Sequence, residues 1–245
     1  MMNKISGNNI TGHGPIKIFY PGAALGNKTD TGFSSIGRID HAFFQGNTII
    51  PMHPHINDEI LTYFRSGFCE HVDTEGYTAD ISNTKLMLMK AGKSFYHEEK
   101  VIDKGEPLEG LQIFIRPGAK DLEPTVTFLD LNQPYSKNQW RTIASPYSET
   151  KLQFTSQTWV YDIRSDINRS FSLPQLDNEN LTCLLYVFDG SITVNNEIKL
   201  DKKDSLLIKN EVASIQTNEN SDLVLFVVNE DVDYYDGGMY SGNKY

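Results

Sequence analysis

The chain has 245 residues and six histidines, His13, His41, His53, His55, His71 and His97, all in its first half. Two of them bracket a proline in His53-Pro54-His55, and His97-Glu98-Glu99 begins 42 residues after His55 (97 − 55). Alternate side chains of an extended strand share a face. His53 and His55 therefore point one way, and so do His97 and Glu99. Two such strands lying side by side bring three imidazoles and one carboxylate to a point, with coordination positions to spare. That donor set suits a borderline or moderately hard divalent metal: iron(II), nickel, copper, manganese or zinc. Alone, the first pair reads as two surface histidines at a strand edge; the second pair turns the reading toward a metal. Glu59 is a rival carboxylate, four residues past His55 and on its face if the strand runs unbroken. His71 reads as a hydrogen-bonded structural histidine. Asp73 either orients it or simply closes a hairpin. His13 and His41 read as incidental.

The elements that must position these residues are β-strands. Glu59 to Phe64, Phe68 to Asp73, Lys85 to Met89 and Gly110 to Ile115 are apolar, β-branched or alternating runs. Arg65-Ser66-Gly67 and Thr74-Glu75-Gly76 separate the first three as turns. Met87 and Met89 read as barrel packing. The rhythm loosens between Leu122 and Trp140, which places a domain junction there: 1–130 as a metal-binding domain and 131–245 as a second β domain without metal ligands. The second half carries strands at Leu181 to Phe188, Ser191 to Val194, Glu197 to Leu200, Ser205 to Ile208 and Leu223 to Val228, read as a meander with turns at Asp189-Gly190 and Asn195-Asn196. It has no histidine and only one cysteine, so it cannot rebuild a three-imidazole site. The segment from Asn229 to Tyr245, rich in Asp, Tyr and Gly, is expected to fray. The fold class that follows is all-β, barrel or sandwich, with only short helical pieces.

A net charge of −10 argues against nucleic acid as a partner, since a basic face is needed to displace counterions from phosphates. Cys69 and Cys183, far apart, read as free thiols of a reducing compartment. Met1 to Gly12 lacks the apolar core of a secretory signal, and no apolar run approaches a membrane span. A soluble cytoplasmic protein is expected, with no membrane partner.

His53-Pro54-His55-Ile56-Asn57-Asp58-Glu59 is similar to the first signature of the cupin superfamily of small β-barrels. The longer run HPHINDEILTYFRSGFCEHVDTEG, followed by MKAGKSFYHEE, resembles one branch of it, the pirin family, across about Gly32 to Asp130. The resemblance implies a bicupin, two double-stranded β-helix (jelly-roll) barrels in one chain. It also implies His53, His55, His97 and Glu99 as metal ligands, which favours Glu99 over Glu59. Two positions depart from the family pattern: Ser94 stands where it has a glycine, and Glu98 where it has a serine. Neither is a ligand. Bacterial pirin-like proteins resemble quercetinases, which implies a dioxygenase acting on flavonol-like or other chelating enols with O2, with Glu99 as ligand or base. Iron(II) is the leading metal, with nickel, copper, manganese and zinc as alternatives. Eukaryotic pirins resemble transcription cofactors, which implies the other function: a non-catalytic, metal-dependent protein-interaction module.

Overall fold

The computed structural model describes residues 1–12, 14–176 and 180–245; His13 lies outside the described residues. Among these, twenty-one strands account for nearly all regular structure, beside a four-residue helix at Pro21–Ala24 and one short 3-10 turn. None of the helices is long and apolar enough to cross a membrane. The chain forms two compact units, neither continuous in sequence. One consists of residues 10–134, 147–156 and 233–245; the other of 1–9, 135–146 and 157–232. Beside a division near residue 130, three short segments group with the half that is distant in sequence.

Strand β1 (Met2–Ile5) belongs to the second unit. The first unit runs β2 (Ile16–Phe19), β3 (Ile36–Phe44), β4 (Thr48–His55), β5 (Glu59–Ser66), β6 (Phe68–Asp73), β7 (Thr78–Ser82), β8 (Lys85–Lys90), β9 (Phe95–Val101), β10 (Leu108–Ile115) and β11 (Thr125–Asp130). They curl into a cupin barrel with the order β2-β3-β10-β5-β8-β7-β6-β9-β4, and β11 lies on β8. The alternation that suggested strands is the alternation that fills the barrel. On β9, Phe95, His97, Glu99 and Val101 are buried while Tyr96, Glu98 and Lys100 face outward. Ile60, Phe64, Met87, Met89, Phe95 and Phe114 pack in one core, with Met87 and Met89 fully buried. Each such side chain contributes about 1.5–3 kcal/mol by leaving water. The first turn is tighter than expected: β5 continues through Ser66, and Gly67 alone turns, at φ 79°.

In the second unit β12 (Arg141–Ser145) is followed by β13 (Leu152–Gln153), a segment that groups with the first unit, and then by β14 (Thr158–Ser165), β15 (Ser170–Ser172), β16 (Leu181–Asp189), β17 (Ser191–Val194), β18 (Ile198–Asp201), β19 (Ser205–Lys209), β20 (Ser214–Thr217) and β21 (Ser221–Asn229). These form two sheets, β1-β19-β16-β21-β14-β12 and β15-β20-β17-β18. The strands fall where the sequence places them, but the order is that of a jelly roll, not the expected meander. Asn195 and Asn196 both take positive φ, 51° and 59°, in the tight turn between β17 and β18. Cys69 and Cys183 are both free and buried.

Candidate metal centre

Strands β4 and β9 pair antiparallel, with His53 opposite His97 and Ile50 opposite Glu99. Three residues of β4 span what two residues of β9 span, so a bulge lies between Ile50 and His53. β4 is an edge strand, where Pro51 and Pro54 remove no ladder bond that the sheet needs. The bulge restores Ile50, His53 and His55 to the inner face. On its other side β9 pairs with β6, which sets Asp73 opposite His97 and His71 opposite Glu99.

The result is a triangle of imidazole nitrogens. The Nε2 atoms of His53 and His55 are 3.1 Å apart, those of His55 and His97 2.9 Å, and those of His97 and His53 3.1 Å. The opposite side of each ring fixes its tautomer. His53 Nδ1 donates to the carbonyl of Pro51 at 2.8 Å. His55 Nδ1 faces the carboxylate of Asp58 at 3.4 Å. His97 Nδ1 faces Nδ1 of His71 at 3.3 Å, and His71 Nε2 meets Asp73 at 2.7 Å. A carbonyl or an ionised carboxylate only accepts. Asp73 therefore makes His71 Nε2 a donor, His71 Nδ1 an acceptor and His97 Nδ1 a donor. All three Nε2 atoms are left as lone pairs aimed at one another. Burial lowers the His55 pKa and takes His97 down to about 2, with His55, His53 and His71 adding to the effect at His97.

Three lone pairs at this separation could hold a cation between them, and the residues fit one. Metal–nitrogen bonds of about 2.1 Å meeting at right angles give an edge of about 3.0 Å, whereas tetrahedral angles give about 3.4 Å. The observed edges of 2.9–3.1 Å lie nearer the first value, so the three nitrogens would hold an ion on one side and leave its other side to further ligands.

Glu99 shares the inner face but not the triangle. Both its oxygens accept from the Gln112 amide, each at 2.8 Å, and Oε1 is 3.9 Å from His97 Nδ1, on the His71 side of that ring. One of its oxygens lies within 4.8 Å of a ring nitrogen of His71 and one of His97. Burial raises its pKa to about 7, which the Gln112 bond only partly opposes. Glu59 is held elsewhere: its carboxylate accepts from the backbone N–H and hydroxyl of Thr155, and burial raises its pKa to about 7. His41 pairs with Glu109 at 2.9 Å. Glu98, half-buried on the outer face, pairs with Lys100. Ser94 needs no glycine-like backbone; the turn's positive φ, 51°, falls at Gly92, where a Cβ would lie 2.0 Å from the Leu122 carbonyl. Behind Glu99 and Gln112 the barrel holds a cavity of about 20 Å³, lined also by Asp40 and by apolar side chains such as Ile50, Phe64 and Leu108. Asp58, Gln112 and Tyr240, which touch the triangle or Glu99, are absent from the expected site. Only Asp58, three residues past His55, carried a signal in the sequence.

Comparison with known proteins supports the family resemblance. Residues 26–115 match the Pirin family model, so the chain carries a pirin domain on the segment that holds the triangle and Glu99. The chain is similar to the quercetin 2,3-dioxygenase of Escherichia coli, at 26% identity over 196 residues, 80% of this chain and 83% of that one. It is also similar to a pirin-like protein of Caulobacter vibrioides, at 26% identity over 180 residues, 73% of this chain and 77% of that one. Among solved structures it is similar to the bacterial pirin YhhW from Escherichia coli in complex with nickel(II), with TM-score 0.78, 22% identity, and 94% of this chain and 99% of that chain covered. A quercetin 2,3-dioxygenase structure from Acinetobacter baumannii gives TM-score 0.75 at 19% identity, covering 93% of this chain and 86% of that one. At such identities the structural likeness establishes the bicupin fold.

Proposed function

We propose that this pirin-domain bicupin is a metal-dependent dioxygenase acting on flavonol-like or other chelating enol substrates with O2. His53, His55 and His97 hold the metal, and Glu99 is its carboxylate partner. The observation that carries this reading is the triangle of Nε2 lone pairs, each set by an acceptor behind its ring. Iron(II) is the leading metal. An octahedral face suits iron(II), nickel and manganese better than zinc, whose protein sites are mostly four-coordinate. When bound, the metal supplies Lewis-acid polarisation of a coordinated oxygen and a template for a chelating substrate.

The chain's own residues do the rest. Three neutral imidazoles leave the centre cationic, which favours an enolate over the parent enol. Glu99, with a carboxyl poised near 7, takes the enol proton at neutral pH. With one oxygen released by Gln112, the same residue would be free to act as a fourth ligand. His53 is the partly exposed member of the triangle, so the substrate approaches from its side.

One observation favours a second reading, a metal-responsive protein-interaction module. The cavity inside the barrel, about 20 Å³, is far below the about 300 Å³ at which small-molecule sites begin. The test loads apoprotein with iron(II), nickel, copper or manganese in turn and follows oxygen uptake with several flavonols. Uptake with one metal, falling at least about 100-fold in Glu99→Gln, supports the enzyme. Metal that binds stoichiometrically while no form consumes oxygen rejects the enzyme and leaves the binding protein.

A further inference from the structure

We infer that Asp58 is a positioning residue for the metal ligand His55, and that the segment Gly238–Ser241 holds Asp58 in that role. The inference rests on the reading of the triangle as a metal centre.

Asp58 is completely buried, and its two oxygens are used differently. Oδ1 accepts the backbone N–H and the hydroxyl of Ser241, both at 2.7 Å. The N–H of Tyr240 is shared between the two oxygens, 3.0 Å from each. Oδ2 is then left to face His55 Nδ1. The turn that brings Asp58 back toward its own strand needs Asn57 at φ 54°, a conformation asparagine tolerates. The Asn57 side chain locks it by donating to Asp121 Oδ1 at 3.1 Å and accepting the Asp121 N–H at 2.7 Å.

The distant segment is built in rather than laid on. Ser241 is fully buried, and its carbonyl accepts from Arg116 Nε at 3.0 Å. The N–H of Met239 donates to the Ile56 carbonyl at 2.8 Å. A Cβ on Gly238 would lie 2.2 Å from Ser241 Oγ and 2.7 Å from Asp58 Oδ1, and one on Gly37 would lie 2.2 Å from the Ser241 carbonyl oxygen. Tyr240 sets its ring against the other side of the same ligand, 4.9 Å from the His55 ring centre, with Arg38 5.0 Å above it. One segment thus fixes His55 twice, by its ring and through the carboxylate.

A merely structural Asp58 would anchor the segment and leave the His55 tautomer alone. A positioning Asp58 keeps the proton on Nδ1 and the lone pair on Nε2. In Asp58→Asn the carbonyl oxygen stays with the Ser241 donors, and the amide N–H turns toward His55 Nδ1. That makes Nδ1 an acceptor and puts the proton on Nε2.

The test uses the full chain in two arms. In metal-free protein, imidazole nitrogen-15 NMR reads the tautomers; in the second arm, nickel(II) is titrated against a competing chelator. We expect His55 to be Nδ1–H in the wild type and to shift toward Nε2–H in Asp58→Asn, with nickel affinity lower by about 10- to 100-fold. Ser241→Ala keeps the carboxylate, removes one of its donors and should weaken nickel by about threefold, which preserves the test if Asp58→Asn does not fold. Unchanged His55 nitrogen shifts in folded Asp58→Asn, or wild-type nickel affinity in Ser241→Ala, would overturn the inference. Wild-type protein that takes up no nickel or other divalent metal would overturn the metal-centre reading, and the NMR arm would still decide whether Asp58 sets the tautomer.

Discussion

Replacing Asp73 with asparagine tests the longest chain of tautomer logic in the centre. Asp73 and His71 are fully buried, so no water relieves a mismatch between them. Asp73 Oδ1 accepts the N–H groups of Glu75 and Tyr77, both at 2.9 Å, while Oδ2 accepts from His71 Nε2 at 2.7 Å. An asparagine has two orientations there. Turning its NH2 toward the two backbone N–H groups leaves both donors unsatisfied, at about 1–3 kcal/mol each. Keeping its oxygen there and turning the NH2 toward His71 costs only a change of tautomer, so the second orientation wins. The amide then donates to His71 Nε2. His71 Nδ1 becomes the donor, His97 Nδ1 the acceptor, and the proton arrives on His97 Nε2, in the middle of the triangle. Metal must displace it against the whole relay. The expected loss is about 10- to 100-fold in affinity, or about 1.4–2.7 kcal/mol. Chelator competition with nickel or iron(II) measures it, with thermal unfolding of the apoprotein as the control on folding. Wild-type affinity in a folded Asp73→Asn protein would refute the relay, and so would a His97 that keeps its proton on Nδ1.

Three further outcomes follow from the same geometry. His55→Ala should reduce bound metal from one ion per chain to near zero while leaving the β-sheet circular dichroism intact; unaltered stoichiometry by elemental analysis would remove His55 from the site. The Glu59 carboxyl, at about 7 in the fold against 4.5 in the unfolded chain, binds its proton more tightly when folded, so it makes stability fall as pH rises from about 4.5 to 7. Glu59→Gln should flatten that slope and gain at most about 3 kcal/mol above pH 8, and chemical denaturation at pH 5 and pH 8 decides it. X-ray absorption of the nickel-loaded protein should give six light-atom neighbours near about 2.1 Å; a four-coordinate spectrum would contradict the octahedral face.

The convergence of the three histidines was legible because a period of two is a local rule: once His53-Pro54-His55 and His97-Glu98-Glu99 are strands, their faces follow. What the rule leaves open is where a side chain goes within its face. Glu99 lies on the predicted side of β9, yet its carboxylate rests on Gln112, thirteen residues away on β10, and no pattern along β9 announces that partner. The expected fraying after Asn229 failed for a related reason. Residues 237–242 are rich in glycine, serine and tyrosine, which reads as loose chain. In the fold, Gly238 is small because Ser241 and Asp58 leave no room for a Cβ, and the donors it brings lie 182 and 183 residues from their acceptor. Contacts that distant leave no periodicity to read.

The division between legible and illegible residues has a chemical sense. A histidine can point either nitrogen as a lone pair, so its presence in a sequence states only that a ligand is possible. Which nitrogen is free is decided by the group behind the ring. In this site those groups are acceptors that cannot donate: the Pro51 carbonyl behind His53, Asp58 behind His55, and Asp73, acting through His71, behind His97. The first comes from the strand's own bulge, the second from a turn clamped by a distant segment, and the third from a hairpin on the next strand. Three unrelated pieces of backbone impose one protonation pattern. A random cluster of buried histidines would instead pair donors with acceptors and satisfy itself. If the triangle holds a metal as proposed, its preference for a cation over a proton lies in these acceptors, and substitutions there should alter metal binding without touching a ligand.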